Sequence, residues 1–195
     1  MNSIAKPENP FPLAGGDIYE ACRDFVLTYA LPLLLPSNVV QGWQNRLVLP
    51  PGAGDYAVIS ILHDKQHGAT IEEFQAANSD PNAPGLLIIK GLVEVAVQVD
   101  FCAEDDTARQ RARRLAIVTR SSIGARFFKD YGMSALFADD VRDISSESDA
   151  EQLIRRWTTT LHLTLTEGIS VEVPYFNQAR VGHLENVGVH HPNIK

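Results

Sequence analysis

The stretch "VEVAVQVDFCAEDDTARQRARRLAIVTRS", residues 93–121, changes its periodicity half-way along. Val93, Val95, Val97, Val99 and Phe101 alternate with Glu94, Ala96, Gln98, Asp100 and Cys102, the two-residue period of a half-buried strand. After Glu104, Asp105 and Asp106 the period turns helical. Ala108, Ala112, Leu115, Ala116, Thr119 and Ile123 fall on one stripe, and Asp105 or Asp106 stands where an acid caps a helix and complements its dipole. An alternating strand that feeds a helix points to an antiparallel sheet with helices on one face, since strands of buried parallel sheets are apolar throughout.

Outward from this stretch the pattern repeats. Upstream, Asp17 reads as an N-cap, and Ile18, Cys22, Phe25, Val26, Tyr29 and Leu33 share one helical face that Pro32 and Pro36 kink or close. Residues 56–62 form a strand that is apolar on nearly both sides, hence central to a sheet. Residues 63–85 are polar and end in turn formers, which predicts a surface excursion. The apolar run 86–92 either extends the strand at 93–102 upstream or forms its hairpin partner. Downstream come a short strand at 137–144, a polar loop "SSESDAEQ", an alternating strand at 157–166 and one more strand at 169–173. The expected fold is α+β, a mainly antiparallel sheet with two principal helices packed on one face. Residues 1–16 are expected as an extended arm, 17–175 as the domain and 176–195 as a tail. Phe11 in the first arm and Tyr175 and Phe176 in the second are candidate contacts to a partner.

With 45% hydrophobic and 21% charged residues in 195, the chain has what a single globular domain needs. A net charge of −7 opposes the phosphate backbone and argues against a sequence-specific nucleic-acid binder. Cys22 and Cys102 each sit in an apolar pattern and read as buried free thiols, not as a disulfide framework. The N-terminus lacks the charged and apolar regions of a signal peptide, and the most apolar run, 29–35, is too short to cross a bilayer. These features predict a soluble protein of a reducing compartment, without a membrane partner.

Motifs for chemistry are few. His63 and His67 stand four apart and could chelate a metal on a helix, with Asp64 and with Asp139 or Asp140 as further donors of a small metal-dependent hydrolase. A third ligand is missing beside them, and His190 and His191 are adjacent in a polar tail. "PPGAGD" lacks the Lys-Ser/Thr ending of a phosphate loop and feeds a strand. The reading is a protein that is not an enzyme, with no catalytic residue, no cofactor and no metal.

The arginines are the remaining signal. On the helical wheel Arg109, Arg113 and Arg120 flank one side of the apolar stripe, and Arg111 and Arg114 flank the other. Ile117 and Val118 lie off the stripe, and apolar residues among exposed arginines mark a protein–protein interface.

The tracts "WQNRLVLPPGAGDYAVISIL", "VEVAVQVDFCAEDDTARQRARRLAIVTRS", "DVRDIS" and "RRWTTTLHLTLT", in that order over about 17–175, resemble the neck or tail terminator proteins of long-tailed bacteriophages. Cys102 stands where that family's strand motif has tyrosine. The resemblance implies a virion structural protein of the tail or neck, assembled in the host cytoplasm. It implies a ring, commonly a hexamer, that caps the tail tube, ends its polymerisation and docks the head connector, with the tail sheath as a further partner in contractile tails. Another head–tail joining or adaptor component is the alternative. Within such a ring, Arg109, Arg113, Arg114, Ile117 and Val118 of one subunit are expected to meet Asp139, Asp140 and Asp143 of the next.

Overall fold

In a computed structural model the described residues are 15–31, 35–42, 55–76, 84–103, 105–147 and 153–173. The alternating stretch is the C-terminal half of a long strand, β3 (Gly85–Ala103), so the apolar run 86–92 extends it upstream. Antiparallel partners flank β3: β2 (Tyr56–Gln75) on one side and β7 (Leu153–Val173) on the other. The sheet order is β1-β2-β3-β7-β4, with β1 (Val39–Gln41) parallel to β2 and β4 (Met133–Ala138) antiparallel to β7. Two short pieces, β5 (Arg142–Asp143) and β6 (Ser146–Glu147), also pair with β7. The architecture is α+β with a mostly antiparallel sheet, as the alternation implied.

One face of that sheet carries the core. Val95, Val97, Val99 and Phe101 of β3 are buried with Ala57 and Ile59 of β2 and with Leu161, Leu163 and Leu165 of β7. Over them lie α1 (Gly15–Tyr29), α2 (Thr107–Thr119) and α3 (Ser122–Asp130). Each fully buried side chain of this size contributes roughly 1.5–3 kcal/mol relative to exposure. Helix α1 contributes Ile18, Ala21, Cys22, Phe25 and Val26, and an aromatic cluster of Phe25, Phe127 and Phe128 joins it to α3.

Several expectations need correction. Among the described residues there are three α-helices, where two principal ones were expected. Ile123 belongs to α3 and is exposed, while Ala108, Ala112, Leu115, Ala116 and Thr119 form the buried stripe as read. The break comes at Ser121, whose hydroxyl donates to the Val118 carbonyl at 2.7 Å and accepts from the Ile123 amide at 3.2 Å. Gly124 permits the tight joint: a Cβ there would stand 2.6 Å from the Val118 carbonyl oxygen and 2.8 Å from that of Thr119. Helix α1 starts at Gly15, so Asp17 is inside its first turn and is not the cap. Asp106 is the N-cap of α2 and makes no side-chain cap bond; the Asp105 carboxylate before it accepts from the Thr107 amide at 2.9 Å. The strand expected at 137–144 is instead β4, ending at Ala138, followed by a turn that re-pairs at β5.

The largest correction concerns residues 63–85. β2 continues to Gln75 through most of that segment, paired with β3, and β7 unites the two strands expected at 157–166 and 169–173. Hydrophobic alternation fails in this region because little of it packs on a core; the backbone ladder carries the strands. Beyond the row Val93–Leu165 the three strands form an extension, from Leu92 opposite Thr166 to Gly85 opposite Val173. At about 3.3 Å per residue it reaches roughly 25 Å. No described residue of the extension belongs to the core cluster.

Candidate functional site

Helix α2 leaves its outer side uncovered among the described residues. Arg109, Arg113, Arg114 and Ile117 are exposed, and Ile117 at 67% is one of the most exposed large apolar side chains among the described residues. Between α2 and the turn after β4 runs a groove of about 370 Å3 lined by Arg109, Arg113, Ile117 and Arg120 on one side and Asp139, Asp140, Val141 and Trp157 on the other. The helical-wheel grouping of Arg109, Arg113 and Arg120 is thus one wall of a real groove.

Each wall is held in place. The Arg109 guanidinium lies over the Trp157 ring, 5.2 Å from its centre. Arg120 donates to the Ala138 carbonyl through Nε at 3.0 Å and reaches Asp140 at 3.3 Å. Asp139 is fixed through its backbone amide to the Thr160 carbonyl at 2.8 Å. On the far side of the helix, Arg111 pairs with Asp55 at 2.5 Å. Arg113 and Arg114 have no ion-pair partner among the described residues. The Asp106 carboxylate meets Arg155 at 2.5 Å.

The structure therefore gathers Arg109, Arg113, Ile117, Asp139 and Asp140 at one groove within a single chain. It does not bring Val118 or Asp143 there. Val118 is half-buried and packs against the core, contrary to its expected place off the inward stripe. Asp143 accepts from both the amide and the hydroxyl of Ser145, and these bonds hold its carboxyl below the usual range. Phe11, Tyr175 and Phe176 lie outside the described residues.

Sequence reading missed the groove's Trp157 and Val141. It also missed a polar cluster on the sheet face opposite the helices. There Glu94 receives His67 Nε2 at 2.5 Å on one carboxylate oxygen and His162 Nδ1 at 2.8 Å on the other. The His162 ring stacks on Phe137, centroids 4.2 Å apart, and its other nitrogen stands 3.4 Å from Asp139. Hydrogen bonds from the two histidines hold the Glu94 carboxyl below its ordinary value. Cross-strand register makes this cluster, and register is not visible in local periodicity.

The hydrolase reading finds no support in the geometry. His63 and His67 lie on a strand, not a helix, roughly 13 Å apart at strand rise. Among the described residues no three His, Cys, Asp or Glu side chains stand where they could hold a metal ion. Both cysteines are buried, and burial pushes the Cys22 thiol up to about 12, far from a reactive thiolate.

Comparison with protein families matches residues 16–188 to the family described as phage neck terminator protein. The chain belongs to that family. It is accordingly a component of the phage virion whose family works in contact with other neck and tail proteins. A search of curated proteins found no match. Among the described residues no helix is long and apolar enough to cross a membrane.

Proposed function

We propose that this neck terminator is a structural, non-catalytic protein that closes into a ring, of hexameric size, on the end of the finished tail tube. The ring stops tube polymerisation and offers its other face to the head connector, with the sheath as a further neighbour if the tail contracts. The observation that supports this best is the outer side of α2, where Ile117 stands exposed between arginines in a chain of the neck terminator family. Arginine beside exposed apolar surface suits a desolvated subunit contact.

In the ring, Arg109, Arg113, Arg114 and Ile117 form one side of the subunit contact. Asp139 and Asp140 line the same groove within one chain, and Asp140, reached by Arg120 at 3.3 Å, keeps its carboxylate exposed. A cyclic ring needs two different patches per subunit, so the second patch lies elsewhere on the surface.

Electron microscopy of purified chain with and without tail tubes tests this reading. Rings alone, or a single density at one end of each tube together with arrested tube growth, are the expected result. A chain that binds the connector but leaves tube ends bare and growing would instead be a connector adaptor.

A further inference from the structure

The core half of the sheet and its extension meet at a line of glycines. β3 and β7 run past this line without a register shift, with Gly91 opposite Glu167 and Lys90 opposite Gly168. β2 does not. Gly68, Ala69 and Thr70 stand between the pairs His67–Leu92 and Ile71–Lys90, where β3 has Gly91 alone. That is a bulge, and its first residue, Gly68, has a φ of 72°, which a side chain would strain. Each of the three strands thus has a glycine within one row of the same line. Neither space nor backbone demands the glycine at 91. A Cβ there would first meet the Gln66 side chain, at 3.3 Å, and its φ lies outside the left-handed region. What a glycine does inside a strand is weaken it.

On either side of this line the strands are tied to one another. On the core side Glu94 of β3 meets His67 of β2 at 2.5 Å and His162 of β7 at 2.8 Å, so one carboxylate joins all three strands. Just past the line, Lys90 of β3 donates to Glu73 of β2 at 2.5 Å. Across the bulge itself Gln66 Nε2 reaches Thr70 Oγ1 at 3.3 Å, long for a neutral hydrogen bond. Apolar packing also stops here. Val93 and Leu165 form the last row against the core cluster, and no described residue beyond them joins it. Bending a sheet across its strands needs a change of φ and ψ in every strand at one level. It breaks no ladder bond when each strand has a soft residue there.

We infer that the three-stranded extension is a hinged arm, which turns as one unit on the core half about Gly68, Gly91 and Gly168. Over an arm of roughly 25 Å, a modest bend at the glycines moves the far end by several ångströms. The helices and the buried face keep their packing while it turns, because the hinge lies beyond the last core row. Such an arm meets a neighbouring neck or tail component at the angle which that component presents. The hinge belongs to the single chain and does not depend on ring closure.

Distances between paired spin labels, read by double electron–electron resonance, test the hinge. Cys22 and Cys102 are buried, which leaves labelling to introduced cysteines. In the full chain, Ala125→Cys on α3 with Glu172→Cys on the extension spans the hinge. Glu20→Cys with Arg142→Cys lies wholly in the core half, and Ile71→Cys with Glu172→Cys wholly in the extension. Labelled chain is diluted into unlabelled wild type, so that only distances within one chain are read. The spanning pair should give a distribution about twice as broad as either control pair, or one split in two. A spanning distribution as narrow as the controls overturns the inference. So does an extension pair as broad as the spanning one, because the strands would then be fraying and not turning together. As a second measurement, Gly91→Val with Gly168→Val stiffens two of the three strands at the line. In that background the spanning distribution should narrow to the width of the core pair. A folded double variant with the wild-type breadth overturns the assignment to these glycines, and the widths without it decide by themselves if it does not fold.

Discussion

Arg109 lies over the ring of Trp157, so the first turn of α2 and the start of the core half of β7 are joined by a cation–π contact, 5.2 Å from guanidinium carbon to ring centre. The indole nitrogen is buried without a hydrogen-bond partner among the described residues, so packing and the arginine contact hold the ring. Arg109→Ala should therefore open the groove and cost about 0.5–1 kcal/mol in chemical denaturation, the range for an exposed cation–π pair. In a Trp43→Phe background, which leaves Trp157 as the single tryptophan, its emission should shift to the red. Unchanged emission would mean that the arginine does not shield the ring.

The Glu94 cluster gives a pH dependence of definite sign. Hydrogen bonds from His162 and His67 lower the Glu94 pKa in the folded state. A depressed carboxylate contributes stability that is present above its unfolded pKa and is lost as pH falls through the folded value. The melting temperature of wild type should thus exceed that of Glu94→Gln above about pH 5, and the difference should shrink as pH drops below the ordinary glutamate value near 4.3. A difference that grows on acidification contradicts the assignment.

How much of this was legible in the sequence follows from the range of each interaction. The strand at 93–102, the stripe of α2 and the alternating strand at 157–166 are local periodicities on a buried face, and all three stand in the structure. The extension was hidden because residues 63–75 are solvated on most sides and carry no alternation to read. The Glu94–His162 contact spans 68 positions and depends on the register between β3 and β7. At the groove the arginine wall was readable on a wheel, whereas Trp157 opposite it required knowing which strand packs beside α2.

Gly124 should tolerate no side chain. A methyl group there meets two backbone oxygens, of Val118 and Thr119, which cannot swing aside as a side chain would. Gly124→Ala should cost about 1–3 kcal/mol, the range for overpacking, outweighing the helix propensity gained from alanine. The loss should appear in urea denaturation as a lower midpoint with an unchanged slope. A stabilised variant would mean that α2 and α3 can part without penalty.

Asp100 and Arg156 sit on neighbouring strands, β3 and β7, and form an ion pair in which the carboxylate is buried and the guanidinium is partly open to solvent. Asp100 also accepts from Gln98 Nε2 at 2.7 Å. Removing the two partners should not be equivalent. Arg156→Ala leaves a buried carboxylate with one neutral donor and should cost about 2–3 kcal/mol, in the range for a lost bond to a charged group. Asp100→Asn keeps the hydrogen-bonding shape, lets the exposed arginine turn to water, and should cost less. A double-mutant cycle in chemical denaturation separates the pair from its surroundings, and a coupling below about 0.5 kcal/mol would show that water already replaces the arginine at no loss.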